Sequence, residues 1–374
     1  MLYRRMKKSD RDLSILGFGC MRLPLLKSGH VSLRLSRQAI RYAIDQGVNY
    51  IDTAYPYHNG ESETIVGRVL QDGYREKVNL ATKLPTWLIE KRKDMDRYLD
   101  GQLKKLRTDH IDYYLIHALD NNRLESMKKL GMADFLDDAL ADGRITYAGF
   151  SFHDKLEVFR RCVDAYDWTF CQIQYNYMDE KNQAGTEGLK YAASKGLGVV
   201  VMEPLRGGLL TRHVPAIDKI WKEAGSDRSP AGWGLRWVWD HPEVTVVLSG
   251  MSSLDHVIDN LKYADEGRPG SLTKKDLSLV SRVQAAYRER MKVGCTGCGY
   301  CMPCNNGVNI PGCFEQYNNA IMFGDPEQPK AVYNMFMSDG CASKCAECGE
   351  CEEKCPQQIP IREKLKEVKE LFGK

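Results

Sequence analysis

Residues 78–83 read VNLATK and residues 111–117 read IDYYLIH. Each is a short apolar run followed by a longer segment with apolar side chains at helical period, the rhythm of a βα unit in a parallel sheet. The same rhythm recurs upstream at ILGFG (15–19) and VNYID (48–52). Downstream it recurs at ITYAGFS (145–151), FCQIQ (170–174), GVVVME (198–203) and VTVVLSG (244–250). Between the runs lie amphipathic stretches such as RQAIRYAIDQG and GLKYAASKG, several closed by a Gly suited to a left-handed cap. Eight runs predict an α/β chain folded as a closed (β/α)8 TIM barrel, which usually takes about 250 residues; an open doubly wound sheet more often stops at about five to seven strands. No GxGxxG follows any run, so a nucleotide here needs a holding device other than the Rossmann loop.

Across 374 residues, 53 Lys and Arg balance 50 Asp and Glu, leaving a net charge of +3. That balance excludes the electrostatic footprint expected for a nucleic-acid or anionic-membrane partner. No apolar run approaches the roughly 20 residues of a membrane helix. The opening MLYRRMKKSD is too charged to lead into a secretory core, so the expected compartment is the cytoplasm.

Scanning the ends of the predicted strands for titratable groups gives Asp52 and Tyr57 in IDTAYPY, Lys83 in ATK and His117 in LIH. In a parallel barrel these positions converge on the C-terminal mouth, where catalytic groups gather. A phenol with an ordinary pKa near 10 is a poor acid at neutral pH unless a cation stabilises its phenolate. Lys83 can supply that cation, Asp52 can hold Lys83 charged, and His117 can donate to a substrate carbonyl. The set suits carbonyl reduction, with Tyr57 protonating the oxygen as hydride reaches carbon.

The stretches GFGCMRLP, IDTAYPYHNGESETIVG, ATK, LIH, GFS and EPLRGG resemble the aldo-keto reductase family over roughly residues 1–290. The resemblance implies the (β/α)8 fold and gives Asp52, Tyr57, Lys83 and His117 the family's catalytic roles. By the same resemblance Ser151 and Gln172 hydrogen-bond a nicotinamide carboxamide, and the cofactor is NAD(P)H. Two positions depart from the family's pattern: Phe152 stands where many members have Asn, and Met202 where many stack a Tyr on the nicotinamide. Members usually clamp the 2'-phosphate of NADPH with basic residues after the eighth strand. Here SGMSSLDHVIDN, from Ser249 and Gly250 to Asn260, offers only His256. A dianionic phosphate without a cationic fork loses a strong interaction, which predicts weak NADP preference, tolerance of NADH, or another redox partner. Arg206, Gly207 and Gly208 can receive a pyrophosphate through backbone amides and one guanidinium.

Of 13 cysteines, ten lie between Cys295 and Cys355. A reducing compartment disfavours disulfides, so the dense tail calls for metal. Cys295, Cys298, Cys301 and Cys304 read C-x2-C-x2-C-x2-C; Cys345, Cys348, Cys351 and Cys355 read C-x2-C-x2-C-x3-C before Pro356. Triplets at every third position let three thiolates face one cuboidal cluster from a single loop, and eight thiols suffice for two 4Fe-4S clusters. Two four-thiolate zinc sites are the structural alternative. Apolar residues at helical spacing in FEQYNNAIMF, KAVYNMFM and IREKLKEVKELF predict helices framing the clusters.

This tail, residues 291–374, resembles the helical ferredoxin module of respiratory iron-sulfur subunits. The whole chain resembles the iron-sulfur branch of the aldo-keto reductases. In two-cluster ferredoxins the last Cys of each run serves the other cluster. The resemblance therefore implies one cluster on Cys295, Cys298, Cys301 and Cys355 and a second on Cys345, Cys348, Cys351 and Cys304. Cys313 and Cys341 are left as packing thiols or as replacements for a neighbour.

The expected activity is interconversion of a carbonyl and an alcohol, with the clusters exchanging electrons with a carrier such as ferredoxin. Clusters pass single electrons whereas hydride chemistry moves two, so coupling them requires a flavin or a radical-tolerant substrate. Two other readings stay open. The barrel can bind a small molecule without turnover in an electron-transfer or sensing protein, or the clusters can be purely structural.

Overall fold

The computed structural model describes residues 1–373, which form two compact units. The first comprises Met1–Gly207 with Ala231–Thr273; the second comprises Gly208–Pro230 with the chain from Lys274 onward.

The first unit opens with an antiparallel hairpin of β1 (Tyr3–Arg5) and β2 (Asp12–Ser14). Eight strands follow: β3 (Leu16–Gly19), β4 (Tyr50–Asp52), β5 (Asn79–Leu84), β6 (Ile111–Leu119), β7 (Ile145–Phe152), β8 (Phe170–Gln174), β9 (Gly198–Met202) and β10 (Val244–Ser249). They close into a parallel barrel in the order β10-β3-β4-β5-β6-β7-β8-β9. Each apolar run read from the sequence forms one of these strands, within two residues at either end. Strands such as β9 and β10 are apolar throughout because both faces are covered, with Val199, Val200, Val246 and Val247 fully buried. The surrounding helices follow their own period. In Leu33–Asp45, Ser36, Ala39, Ile40, Ala43 and Ile44 face inward, and the Ser32 hydroxyl caps the start by accepting from the Leu35 amide at 3.4 Å.

The hairpin was not expected from the sequence, since YRR and DLS are too short and too charged to stand out. Its connection closes the N-terminal end of the barrel. Met6 and Leu13, fully buried, pack with Tyr50, Tyr113, Phe170 and Val246. Gly198 makes room for this plug, because a Cβ there would lie 2.5 Å from Met6 Cγ. Burial of each of the two side chains contributes about 1.5–3 kcal/mol. A broad charged groove of about 1350 Å³, lined by Arg75, Lys77 and Asp112 among others, lies at this end, away from the strand ends that carry Asp52, Lys83 and His117.

In the second unit, Arg282 on the helix Lys274–Glu289 forks onto Glu223, and Arg290 donates to the carbonyls of Ile321 and Met322. The helices Ile310–Phe323, Glu327–Phe336 and Ile361–Phe372 enclose a core of Val308, Phe314, Tyr333, Leu365, Val368 and Phe372. Ile361, Leu365, Val368 and Phe372, the stripe expected in the tail, are all buried. Among the described residues no helix is long and apolar enough to cross a membrane.

Candidate active site and cysteine hollows

Asp52 ends β4 and Lys83 lies one residue before the end of β5, the strand paired beside it. Lys83 Nζ donates to Asp52 Oδ1 and to the Thr53 carbonyl, both at 2.7 Å, with the two side chains 1% and 2% exposed. The same Nζ stands 5.1 Å from the centre of the Tyr57 ring. His117, near the end of β6, brings its ring to 6.4 Å from that of Tyr57, edge to face. The structure thus brings together all four residues singled out at the strand ends.

Their surroundings fix them. Tyr57 begins a tight turn in which His58 and Asn59 adopt left-handed φ of 53° and 54°. Such conformations cost a non-glycine residue stability and need support. Support comes from His58 Nε2, which accepts from the Leu23 amide at 3.0 Å and ties the turn to the segment after β3. Behind Lys83, the buried Gln102 amide donates to the Lys83 carbonyl at 2.9 Å and to Glu63 Oε1 at 2.6 Å. Thr82 also donates to Glu63, and Tyr114 donates to Gln102 Oε1. Every polar group of this network has a partner, so it holds β5 in register without an uncompensated charge.

Burial would pull the Lys83 ammonium down, but Asp52 and Tyr57 together hold its pKa above the ordinary value, so it stays protonated. Burial lifts the Asp52 carboxyl against the pull of Lys83, and Asp52 Oδ2 has no hydrogen-bond partner. For Tyr57 the outcome differs from the expectation of an acidified phenol. Lys83 does lower it, but burial raises it by more, and the net direction is upward. Burial, with Lys83, His153 and Arg123 nearby, pushes His117 well below its usual value. Its imidazole is therefore neutral near pH 7 and able to donate a hydrogen bond; Nδ1 is buried without a partner.

Ser151 and Gln172 pair across β7 and β8. Ser151 Oγ accepts from the Ala118 amide at 2.7 Å, leaving its hydroxyl proton free to donate, and Gln172 Oε1 is buried with no partner. An orphaned acceptor beside an available donor fits a carboxamide. Phe152 does not face the mouth: it is fully buried and packs on Phe159, 5.0 Å between ring centres. Met202 ends β9 half-buried. Arg206 lies 3.4 Å from buried Asp179, and Arg206, Gly207 and Gly208 have φ of 50°, 66° and 96°. Asn260 donates to Ser249 Oγ at 2.7 Å, while the His256 ring contacts Ser252 and its backbone amide donates to the capping Ser253 Oγ. Near this segment the sequence reading missed Arg22. Gly250 leaves room for it, since a Cβ there would sit 3.2–3.3 Å from the Arg22 side chain. The aliphatic stem of Arg22 therefore lies beside this loop, brought from 228 positions upstream, where no local pattern announces it.

In the second unit the cysteines line two hollows. One is bordered by Cys295, Cys298, Cys301 and Cys355 with Ile310, Phe314 and Ile361. The other is bordered by Cys304, Cys345, Cys348 and Cys351, and it also touches Cys301 and Ile310. The hollows therefore share a wall. Cys313 and Cys341 border neither; both are buried, Cys313 donating to the Gly340 carbonyl at 3.5 Å and Cys341 contacting Ser343. Among the described residues no three Cys, His, Asp or Glu side chains converge as one metal ion requires. The thiols instead surround two hollows, the donor set of cuboidal clusters.

Comparison with known proteins agrees with this architecture. Residues 15–280 match the model of the aldo/keto reductase family, and residues 294–359 match that of the 4Fe-4S dicluster domain. The chain belongs to the aldo/keto reductase family and carries a C-terminal 4Fe-4S dicluster domain. It is 30% identical to the aldo-keto reductase YhdN of Bacillus subtilis over 294 residues, covering 67% of this chain and 85% of that protein. Human aflatoxin B1 aldehyde reductase member 4 is 26% identical over 287 residues, covering 62% and 84%. The holo form of the aldo-keto reductase AKR11C1 from Bacillus halodurans superposes with a TM-score of 0.64 at 26% identity, covering 76% of this chain and 96% of that one.

Proposed function

We propose that the barrel interconverts a small carbonyl compound and its alcohol, with Tyr57 as the group that gives or takes the proton at oxygen. The observation that carries the reading is Lys83 Nζ, sealed between Asp52 Oδ1 and the Thr53 carbonyl and facing the Tyr57 ring. The fixed ammonium stabilises the charge that develops on the phenol oxygen as its proton leaves. Neutral His117 donates to the same carbonyl oxygen and orients it. A raised Tyr57 keeps its proton at neutral pH, the state needed for reduction.

A bound nicotinamide supplies the hydride in this reaction. Ser151 and Gln172 would hold its carboxamide, and Met202, Arg206, Gly207, Gly208, Ser249, Gly250, His256 and Asn260 would contribute to holding the rest of it. The Arg22 side chain packs beside Gly250 in that last segment. These groups support use of NADH as readily as NADPH.

In the dicluster domain, spanning 291–374 and following in sequence a barrel of 1–290, we assign Cys295, Cys298, Cys301 and Cys355 to one cluster and Cys304, Cys345, Cys348 and Cys351 to the other. The two hollows, with Cys301 on the wall they share, support this partition. Bound clusters supply one-electron chemistry, for exchange with a carrier such as a ferredoxin. Six of these thiols, Cys295, Cys301, Cys304, Cys345, Cys351 and Cys355, also pack on the unit's core, so the clusters stabilise the fold as well.

The test is isotopic. Full-length protein loaded anaerobically is given nicotinamide deuterated at C4 and a panel of aldehydes and ketones; deuterium at the carbinol carbon is the expected result. Product without transferred deuterium, or no product from any member of the panel, would refute the hydride reading.

A further inference from the structure

We propose that Glu63 and Gln102, on two helices outside the barrel, are positioning residues that aim Lys83 at Tyr57: Glu63 orients the Gln102 amide, and Gln102 holds the Lys83 main chain in place. The inference rests on the carbonyl-reduction reading given above.

β5 carries Lys83 to the mouth, but the ladder that would hold its backbone ends too early. Ala81 pairs with Asp52, the last residue of β4, and the Ala81 carbonyl accepts from the Thr53 amide at 2.9 Å. Backbone groups two residues apart on a strand point to the same side. The Lys83 carbonyl therefore faces the flank where the β4 pairing has stopped. Gln102, on the helix Arg92–Leu106, supplies a donor there at 2.9 Å. A buried carbonyl needs such a partner, so this contact fixes the end of the strand.

Gln102 can do this in one orientation. Its amide nitrogen carries two protons and its oxygen only accepts. One proton goes to the Lys83 carbonyl and the other to Glu63 Oε1 at 2.6 Å, while Oε1 of Gln102 accepts from the Tyr114 hydroxyl at 2.8 Å. A flipped amide would set its oxygen against a carboxylate and a carbonyl. Glu63, fully buried on the helix Ser62–Val69, excludes that state. Thr82 and Lys105 hold its carboxylate at 2.8 and 3.2 Å. Ala81 belongs to the barrel interior, so alternation turns Thr82 outward to Glu63 and Lys83 inward to the site.

Facing Tyr57 are Lys83 from β5, Asp52 from β4, His117 from β6 and Cys20 after β3. Burial, Asp52 and Cys20 raise the phenol, and Lys83 lowers it. A misplacement of about 1 Å can cost about 10²-fold in rate. Loosening the Lys83 main chain therefore slows the chemical step and moves the Tyr57 limb to higher pH.

The experiment is steady-state turnover of loaded full-length protein in both directions across pH, with the carbonyl–alcohol pair best used in the isotope panel. Gln102→Met and Glu63→Met, close in volume to the originals, are expected to lower kcat about tenfold or more and to shift the alcohol-oxidation limb upward, with KM for the nicotinamide cofactor unchanged. The double variant loses no more than either single one, because both act through the same contact. Glu63→Gln, which keeps an acceptor oxygen, recovers most of the lost rate. Asp112→Asn is the structural control, since Asp112 accepts from the Leu80 amide at 2.9 Å toward the other end of β5; it lowers the denaturation midpoint and leaves kcat and the limb in place. An unmoved kcat and limb in the Met variants, or an equal shift in Asp112→Asn, would overturn the inference. If neither Met variant folds, Tyr114→Phe, which unpairs Gln102 Oε1, decides by the same readouts. Tyr57→Phe is measured alongside: undiminished reduction by it refutes the functional reading itself, whereas a disabled Tyr57→Phe beside unaffected Gln102 and Glu63 variants refutes this inference alone.

Discussion

Lys83 and Asp52 share a hydrogen bond of 2.7 Å inside the barrel, where neither side chain is more than 2% exposed. A buried pair of this kind is costly to break from one side, because the remaining charge stays desolvated. Lys83→Met or Asp52→Asn alone should each lower barrel stability by about 3–5 kcal/mol. The double variant should lose less than the sum of the two. Denaturant midpoints of the three variants, followed by barrel fluorescence, check this; additive losses would argue against a coupled pair.

The titration of His117 predicts a pH dependence. The folded chain keeps this imidazole neutral, while the unfolded chain takes up a proton near about pH 6.5. The unfolded state therefore binds more protons below that value. The stability that this neutral histidine permits is present above about pH 6.5 and is lost as pH falls toward the folded pKa, at up to about 1.4 kcal/mol per pH unit. His117→Gln should flatten this part of the profile, measured as unfolding free energy between about pH 7.5 and 5.5.

Tyr57 predicts the opposite limb. With its pKa raised above the ordinary tyrosine value, the reduction rate should show no alkaline fall up to about pH 9, while alcohol oxidation, which needs the phenolate, should climb over the same range. Steady-state rates in both directions across pH decide the point.

Cysteine substitutions should divide cleanly. Cys298→Ser or Cys348→Ser should remove about half of the bound iron and sulfide, each from a different hollow. Cys313→Ser and Cys341→Ser should leave both contents unchanged, since neither thiol borders a hollow. Elemental analysis of anaerobically purified protein reads the difference.

Arg22→Ala should raise KM for nicotinamide cofactor about tenfold with little change in kcat, the mark of a lost binding contact that does not act in the chemical step. NADH and NADPH should be affected alike. A selective loss of NADPH would mean that Arg22 grips the 2'-phosphate.

Much of this was legible in the sequence because it is local. Each strand is a contiguous apolar run, and Asp52, Lys83 and His117 are placed by their strand ends. The cysteines report their grouping through spacing. The rest depends on chain folding back on itself. Met6 and Leu13 plug the barrel from a hairpin too short to show a pattern. Arg22 packs beside Gly250 because β3 and β10 are paired neighbours, although 228 positions separate the two residues in the chain. Phe152 seemed a departure at the mouth, yet it turns outward onto Phe159, as alternation along β7 from inward-facing Ser151 requires. The phenol of Tyr57 was expected to be acidified by Lys83 alone. Its burial, which no spacing rule reports, outweighs that cation.

The most direct measurement is the turnover of Tyr57→Phe, with near-identical circular dichroism, melting behaviour and iron content established first. Carbonyl reduction should fall by about 10²–10⁴-fold while affinity for the nicotinamide cofactor stays within about twofold of wild type. Undiminished reduction by that variant would contradict the account, because the hydroxyl over Lys83 would then have no part in moving the proton.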